Sequence, residues 1–392
     1  MNKRGILTGL IFVILVSGMI FVFAYRSKTH QTLPTKEFVE NLLGNSPVKI
    51  KPAEEIQIVL VGDIMLSRNV ALAIENANDP QLPFRGVANL LTTSDFNFGN
   101  LESPFTPTTS QPIVGGHSLV FSAPSENIKG LVNNGFRVLS LANNHALDRG
   151  LKTILSTKQL LADNGIVGIG VGENLEAAWN HAAIELKGTK LCFLATSYAS
   201  INDGGKTKNN YVARIDDLDT LQAKISDLKF KCNLIIANMH AGTEYTRKPN
   251  QSQITFAHAA IDAGADLVVG THPHWVQTIE KYNGKYIFYS LGNFIFDQMW
   301  SQDTKEGLVL KIQISKTECH HELISESNKI DSSSDARTKC LDDLKGPRVA
   351  ATLDSIELIP IIIENYFTPR LATEEETKKI LEKIDIKEAV LH

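Results

Sequence analysis

Four short apolar runs, "IQIVLVG" (56–62), "RVLSLA" (137–142), "CNLIIANM" (232–239) and "ADLVVG" (265–270), constrain this chain more than any other feature. Runs of this length, without the gaps of an amphipathic pattern, read as buried strands. Between them, "GLKTILSTKQLLADNG" and "QSQITFAHAAIDAG" carry helical spacing and stop at Asn-Gly or Gly, a common helix end. Strands alternating with helices imply an α/β sheet. Two segments break the alternation: "AAIELKGTKLCFLAT" reads as a hairpin around Lys-Gly-Thr, and "QTIEKYNGKYIFYSLGN" as a hairpin around Asn283-Gly284. The sheet is therefore expected to be mixed. "EGLVLKIQI" and "ATLDSIELIPIIIEN" add late strands, and "ATEEETKKILEKI" a helix with an acidic first turn.

Polar residues cluster where these runs end. Asp63 follows "IVLVG", Asn100 and Glu102 follow "DFNFG", Asn144 and His145 follow "VLSLAN", His240 follows "LIIANM", and His272 and His274 follow "DLVVGT". In open α/β sheets the carboxyl ends of strands are where ligands bind, so these positions can converge on one edge. Carboxylates, imidazoles and amide oxygens make a mixed donor set suited to Mn, Fe or Zn, and a divalent ion would offset the cost of burying Asp63 beside Glu102. The proline between His272 and His274 favours extended geometry before it, which would turn both imidazoles to one side. Glu244, close to His240 in "HAGTEY", is the candidate to orient that imidazole. Trp275 and Tyr245 are candidate pocket walls, Asn293 a residue within reach, His117 a loop histidine of open role, and His320 with His321 a solvent-exposed pair.

With 392 residues and 43% hydrophobic content the chain can bury a full core. A net charge of -4 and a pI near 6.3, with no long basic run, exclude a nucleic-acid groove. The uncharged stretch Gly5 to Ala24 is long enough to cross a membrane as a helix. Residues 1–30 are therefore read as a single-pass anchor and 31–55 as a tether, with the lipid membrane as a partner and the folded body outside the cytoplasm. A cleaved signal peptide is the alternative, although the apolar stretch exceeds the usual ~7–15 residues of such a leader. Of the four cysteines, Cys192 and Cys232 read as buried and inert, while Cys319 and Cys340 flank a polar excursion and would suit a staple.

"VGDIMLSR", "FGNLESP", "LANNHALDRG", "MHAGTEY", "GTHPHW" and "YSLGNFIFD", in that order, resemble the CapA family of poly-γ-glutamate capsule synthesis proteins, a branch of the calcineurin-like metallophosphoesterases. The resemblance covers about residues 56 to 365, leaving 366–392 as a helical tail. It implies a four-layer α/β/β/α sandwich and one or two divalent ions. Asp63, Asn100, Glu102, Asn144, His240, His272 and His274 would be metal ligands, and His145 the proton donor. Met65 stands where the superfamily has a histidine, Asn100 where it has an aspartate and Asn143 where it has a glycine. The implied role is in making or exporting a γ-linked glutamate polymer, with the polymer and its membrane synthase as partners and metal-assisted hydrolysis as the chemistry. A metal-bearing accessory protein that turns nothing over, and attack on a γ-glutamyl amide, are the alternatives.

Overall fold

The structure, a computed structural model, describes residues 55–107, 120–198, 210–318 and 349–389. The stretch read as an anchor and most of the tether, together with His117, His320, His321, Cys319 and Cys340, lie outside the described residues. Among the described residues no helix is long and apolar enough to cross a membrane.

The strands in chain order are β1 (Ile56–Ile64), β2 (Phe96–Leu101), β3 (Phe105–Thr106), β4 (Ala123–Pro124), β5 (Phe136–Ser140), β6 (Val167–Ile169), β7 (Ala182–Leu186), β8 (Thr189–Ser197) and β9 (Leu234–His240). They continue with β10 (Leu267–Thr271), β11 (Ile279–Tyr282), β12 (Lys285–Phe288), β13 (Asn293–Ile295), β14 (Glu306–Glu318), β15 (Val349–Glu364), β16 (Thr368–Leu371) and β17 (Ile386–Ala389). The helices used below are α1 (Arg68–Ala77), α2 (Gly150–Asp163), α3 (Leu218–Leu228), α4 (Gln251–Ala263) and α5 (Glu374–Glu382).

Two mixed sheets form. The first runs β16-β15-β14-β1-β2-β5-β6, with β13 also paired to β1. Its β1, β2, β5 and β6 are parallel, and the late strands β14, β15 and β16 add on antiparallel. The second runs β17-β11-β12-β10-β9-β8-β7, with parallel β8, β9, β10 and β12 at its centre. Both expected hairpins are present in it. Each turns through two residues of positive φ, Lys187-Gly188 and Asn283-Gly284, the conformation whose twist matches the flanking strands.

Side-chain alternation decides how the sheets pack. Along the second sheet Phe193, Leu234, Ile236, Leu267, Val269 and Phe288 join the core of the first sheet. Their neighbours Cys192, Leu194, Ile235, Ala237, Val268 and Ile287 face a second core with Leu221 and Ile225 of α3 and Phe256 and Ala260 of α4. A strand buried on both faces needs no polar alternation, which is why these runs are continuously apolar. Phe98 of β2 and Phe193 of β8 stack across the first interface with centroids 5.4 Å apart. Each fully buried side chain of this size contributes about 1.5–3 kcal/mol.

The end of the chain is worked into both sheets. The expected helix is α5, capped by a reciprocal Thr373 and Glu376 box with three acidic residues in its first turn. On either side of it, β16 joins β15 and β17 joins β11 in parallel. Cys192 and Cys232 are not inert thiols but a disulfide, with 6.0 Å between their Cα atoms. β8 and β9 are parallel neighbours with Cys192 level with Ile235, and Cys232, two residues before β9, reaches it from the chain that leads into that strand.

Candidate metal centre

Every strand that ends in a candidate residue delivers it to the same chamber. Asp63 is the penultimate residue of β1 and Asn100 that of β2, paired in register, and Glu102 follows directly. Asn143, Asn144 and His145 follow β5, His240 ends β9, and His272 and His274 follow β10. The glycines that close two of the apolar runs have a steric cause. A Cβ on Gly62 would stand 1.9 Å from the carbonyl oxygen of Gly292, and one on Gly270 2.0 Å from that of Tyr289. Only glycine lets these strands come so close to the chain beside them.

Asp63, Glu102 and His240, all fully buried, bring one ligand atom each to within 4.8 Å of one another. His240 Nδ1 lies 3.7 Å from Asp63 Oδ1, and its Nε2 lies 3.8 Å from Glu102 Oε1. Its ring is held by Thr271 Oγ1 at 3.1 Å and Asn100 Nδ2 at 3.1 Å on one nitrogen, and by Asn144 Oδ1 at 2.7 Å on the other. Glu244, the expected orienting group, is exposed, and its charge and hydrogen bonding act on Tyr245. The orienting work for His240 falls to buried neutral groups, which set a ring without adding charge.

His272 and His274 reach the chamber by an unexpected backbone path. Their φ angles are +100° and +59°, so the segment is not extended around Pro273. Left-handed backbone at bulky residues costs about 1–3 kcal/mol each and persists where surrounding structure imposes it. The His272 N–H donates to Asp63 Oδ2 at 3.1 Å, while His274 Nδ1 meets Asn293 Oδ1 at 2.9 Å and lies 3.7 Å from Asp63 Oδ2.

The amide of Asn100 turns its nitrogen to Asp63 Oδ1 at 2.8 Å, and its oxygen accepts from Asn143 at 3.2 Å. Asn100 thus braces Asp63. Met65, at the position of the absent histidine, is buried, and its sulfur accepts from the Ser67 N–H and hydroxyl at 3.2 and 2.9 Å. His145 sits beside the trio, Nε2 at 3.8 Å from Glu102 Oε1 and Nδ1 at 2.8 Å from Asp148 Oδ2.

The electrostatics are those of a chamber built around positive charge. Burial pushes the Asp63 carboxyl up to about 7 against the hydrogen bonds from Asn100 and His272. Glu102 is raised well above the ordinary carboxylate range, first by burial and then by the charge of Asp63. His240 and His272 are held well below the usual imidazole range by burial and then by neighbouring imidazoles, and His274 is pushed down to about 3 by burial. Both oxygens of Glu102, and His272 Nδ1, are buried without a hydrogen-bond partner. Orphaned buried acceptors are costly, about 1–3 kcal/mol or more when charged, unless something else satisfies them. A divalent cation fits that vacancy in bonding: its charge would reverse the penalty on both carboxylates, and neutral imidazoles are the form that ligates.

Several contributors carried no sequence signal. Phe121 covers the ring of His145, and the Arg68 guanidinium lies 4.7 Å over Phe121 and 5.6 Å over Phe296 while pairing with Asp297. Asp148 was findable by its spacing of three from His145.

Comparison with known proteins follows the same stretch of chain. The family model described as bacterial capsule synthesis protein PGA_cap matches residues 57–298. The capsule biosynthesis protein CapA of Bacillus anthracis is 34% identical over 269 residues, which cover 67% of this chain and 65% of that protein. The PGA biosynthesis protein CapA of Bacillus subtilis is 31% identical over 296 residues, covering 75% of this chain and 74% of that one. This chain thus spans just under two thirds of the Bacillus anthracis relative. Among solved structures, the calcineurin-like phosphoesterase YfkN from Bacillus subtilis overlays with a TM-score of 0.42 at 12% identity, covering 85% of this chain and 97% of that one.

Proposed function

Because the chain belongs to the bacterial capsule synthesis family PGA_cap, we propose that it is an accessory protein of capsule or polyglutamate synthesis whose centre binds a divalent ion and hydrolyses a phosphoester. The observation that carries this reading is Glu102, whose two oxygens are buried without a hydrogen-bond partner beside Asp63 and His240. Asp63, Glu102 and His240 are the residues that hold the ion, and His272, His274, Asn100 and Asn144 line the same chamber. The mixed oxygen and nitrogen donors favour Mn, Fe or Zn. When bound, such an ion supplies Lewis-acid activation of a phosphoryl oxygen and a nucleophile at neutral pH.

The chain's own groups handle the proton. His145 has Nδ1 fixed by the Asp148 carboxylate, which orients the ring and leaves Nε2 to carry the proton that the leaving oxygen takes. Its ring is clamped by Phe121, so that proton is presented in one direction. The two sheets, sharing one core with helices outside the second, are read as the inner layers of a four-layer α/β/β/α sandwich. The Cys192–Cys232 disulfide supports a body outside the cytoplasm, held there by the apolar N-terminal segment, since such bonds persist in oxidising compartments. Poly-γ-glutamate and its membrane synthase are the proposed partners.

Met65 favours a second reading. Its thioether, engaged by Ser67, leaves the centre without one imidazole of the superfamily's set, as a protein that grips carboxylates of the polymer and turns nothing over would allow. Elemental analysis beside phosphomonoesterase and phosphodiesterase assays separates the two. Metal and activity in the wild type, with activity alone lost in His145→Ala, support hydrolysis. Metal without turnover leaves the binding role, and a wild type that takes up no Mn, Fe or Zn sinks both.

A further inference from the structure

The geometry points to an aromatic subsite at the mouth of the metal centre, formed by Tyr245 and Trp300, that takes an uncharged flat ring on the leaving-group side of the substrate. The inference rests on the hydrolase reading for what the ring is attached to, but the subsite itself is built from contacts independent of turnover.

Trp300 is 60% exposed, although tryptophan has the most apolar surface to gain from burial. Among the described residues its one ring contact is with Tyr245, edge to face, with centroids 4.7 Å apart and planes at 82°. Tyr245 in turn stacks on His274 at 5.9 Å and 26°. Trp300 is therefore two ring contacts from a candidate metal ligand, along a continuous wall from the chamber to solvent.

The wall is held in place by the residues that hold the centre. Asn293, which fixes His274 Nδ1, also donates to Gln298 Oε1 at 3.1 Å, and Gln298 donates to the Tyr245 hydroxyl at 3.4 Å. The Tyr245 N–H donates to Pro273 O, between the two histidines, at 2.9 Å. Tyr245 has a φ of +60°, which a bulky aromatic rarely adopts. A packing role would not need strain at one ring and exposure at its neighbour. A ring-binding role explains both, because strain fixes the platform before the ligand arrives.

Charge narrows the ligand. Glu244, exposed beside Tyr245, makes this lip acidic and repels a further anionic group. An uncharged flat ring, a heteroaromatic base or the C–H face of a sugar, is what two aromatic side chains here recognise by stacking.

The test uses the full chain, loaded with Mn, and three phosphate probes: adenosine monophosphate, glucose 1-phosphate and glycerol 2-phosphate, titrated by calorimetry and by tryptophan emission. The wild type is expected to bind one of the ring-bearing probes roughly tenfold more tightly than glycerol 2-phosphate. Which of them does so distinguishes base from sugar. Trp300→Ala should erase that preference with an unchanged thermal midpoint, and Trp300→Phe should restore most of it. Equal affinities for all three probes in the wild type, or a preference that survives Trp300→Ala, overturns the subsite. Ring-selective binding without hydrolysis of any probe keeps the subsite and removes the hydrolase reading instead.

Discussion

Phe121 lies flat on the imidazole of His145, with ring centres 3.7 Å apart and planes 16° apart. Its main-chain N–H donates to Asp148 Oδ2, the same oxygen that meets His145 Nδ1. One residue thus clamps the ring from above and steadies the carboxylate that orients it. Arg68, over Phe121 and Phe296, backs that clamp from the first residue of α1, the helix that follows β1 and Asp63.

Phe121→Ala is expected to lower kcat about two- to tenfold, the worth of an aromatic pair of about 0.5–1.5 kcal/mol. Metal content should stay at the wild-type level, because Phe121 touches none of the trio. Phe121→Tyr should retain most of the rate. A variant that loses its metal along with its rate would place Phe121 in the framework of the centre instead.

Glu102→Gln separates the needs of the metal from those of the fold. Elemental analysis should find the ion gone. The metal-free variant should nevertheless unfold at higher denaturant than metal-free wild type at pH 8, because one of two buried carboxyls that disfavour joint ionisation has been made neutral. A metal-free variant less stable than its parent would show that Glu102 has a partner in the protein.

Metal affinity should rise with pH. In the metal-free protein burial holds Asp63 up to about 7 and Glu102 above the ordinary range, so below pH 7 a bound proton must leave before the ion can take its place. The histidines, pushed down to about 3 at His274 and well below the usual range at His240 and His272, are already neutral and add no dependence there. Affinity is therefore low at pH 6 and climbs through pH 7, about tenfold per unit for each proton displaced. Calorimetric Mn titrations at pH 6 and 8, in buffers of different ionisation heat, measure the protons released. Affinity that does not change between them would contradict the account.

The Cys192–Cys232 bond closes a loop across a sequence separation of 40 residues. Reducing it, or replacing both cysteines by serine, should lower stability by about 2–4 kcal/mol, read as a shift in the denaturant midpoint. No shift between oxidised and reduced protein would mean that the sheet register alone holds these strands.

The candidate residues of the centre were legible in the sequence because each stands just past an apolar run, and the strand ends do gather at one chamber. The two hairpins were legible for an equally local reason, their Lys-Gly and Asn-Gly turns. What could not be read depended on register or on a crossing chain. The disulfide needs β8 and β9 to be neighbours in one sheet, and Phe121 comes to His145 from a part of the sequence with no pattern that announces it. The positive φ of His272 ran against the local rule for a residue before proline, and that of His274 against the preference of any bulky residue, since the demands of the chamber outweigh both. Glu244 was misassigned to His240 because nearness in sequence says nothing about which way a loop turns.

On the proposed reading the donors divide along the chain: oxygen from Asp63, Glu102 and Asn144 before residue 150, and nitrogen from His240, His272 and His274 after residue 239. Oxygen donors alone favour hard ions such as Ca or Mg, whereas imidazoles favour Zn, Cu or Ni. Neither half of the polypeptide can therefore select the metal by itself. On that reading, selection of the metal would need the strands of the first sheet to have met those of the second.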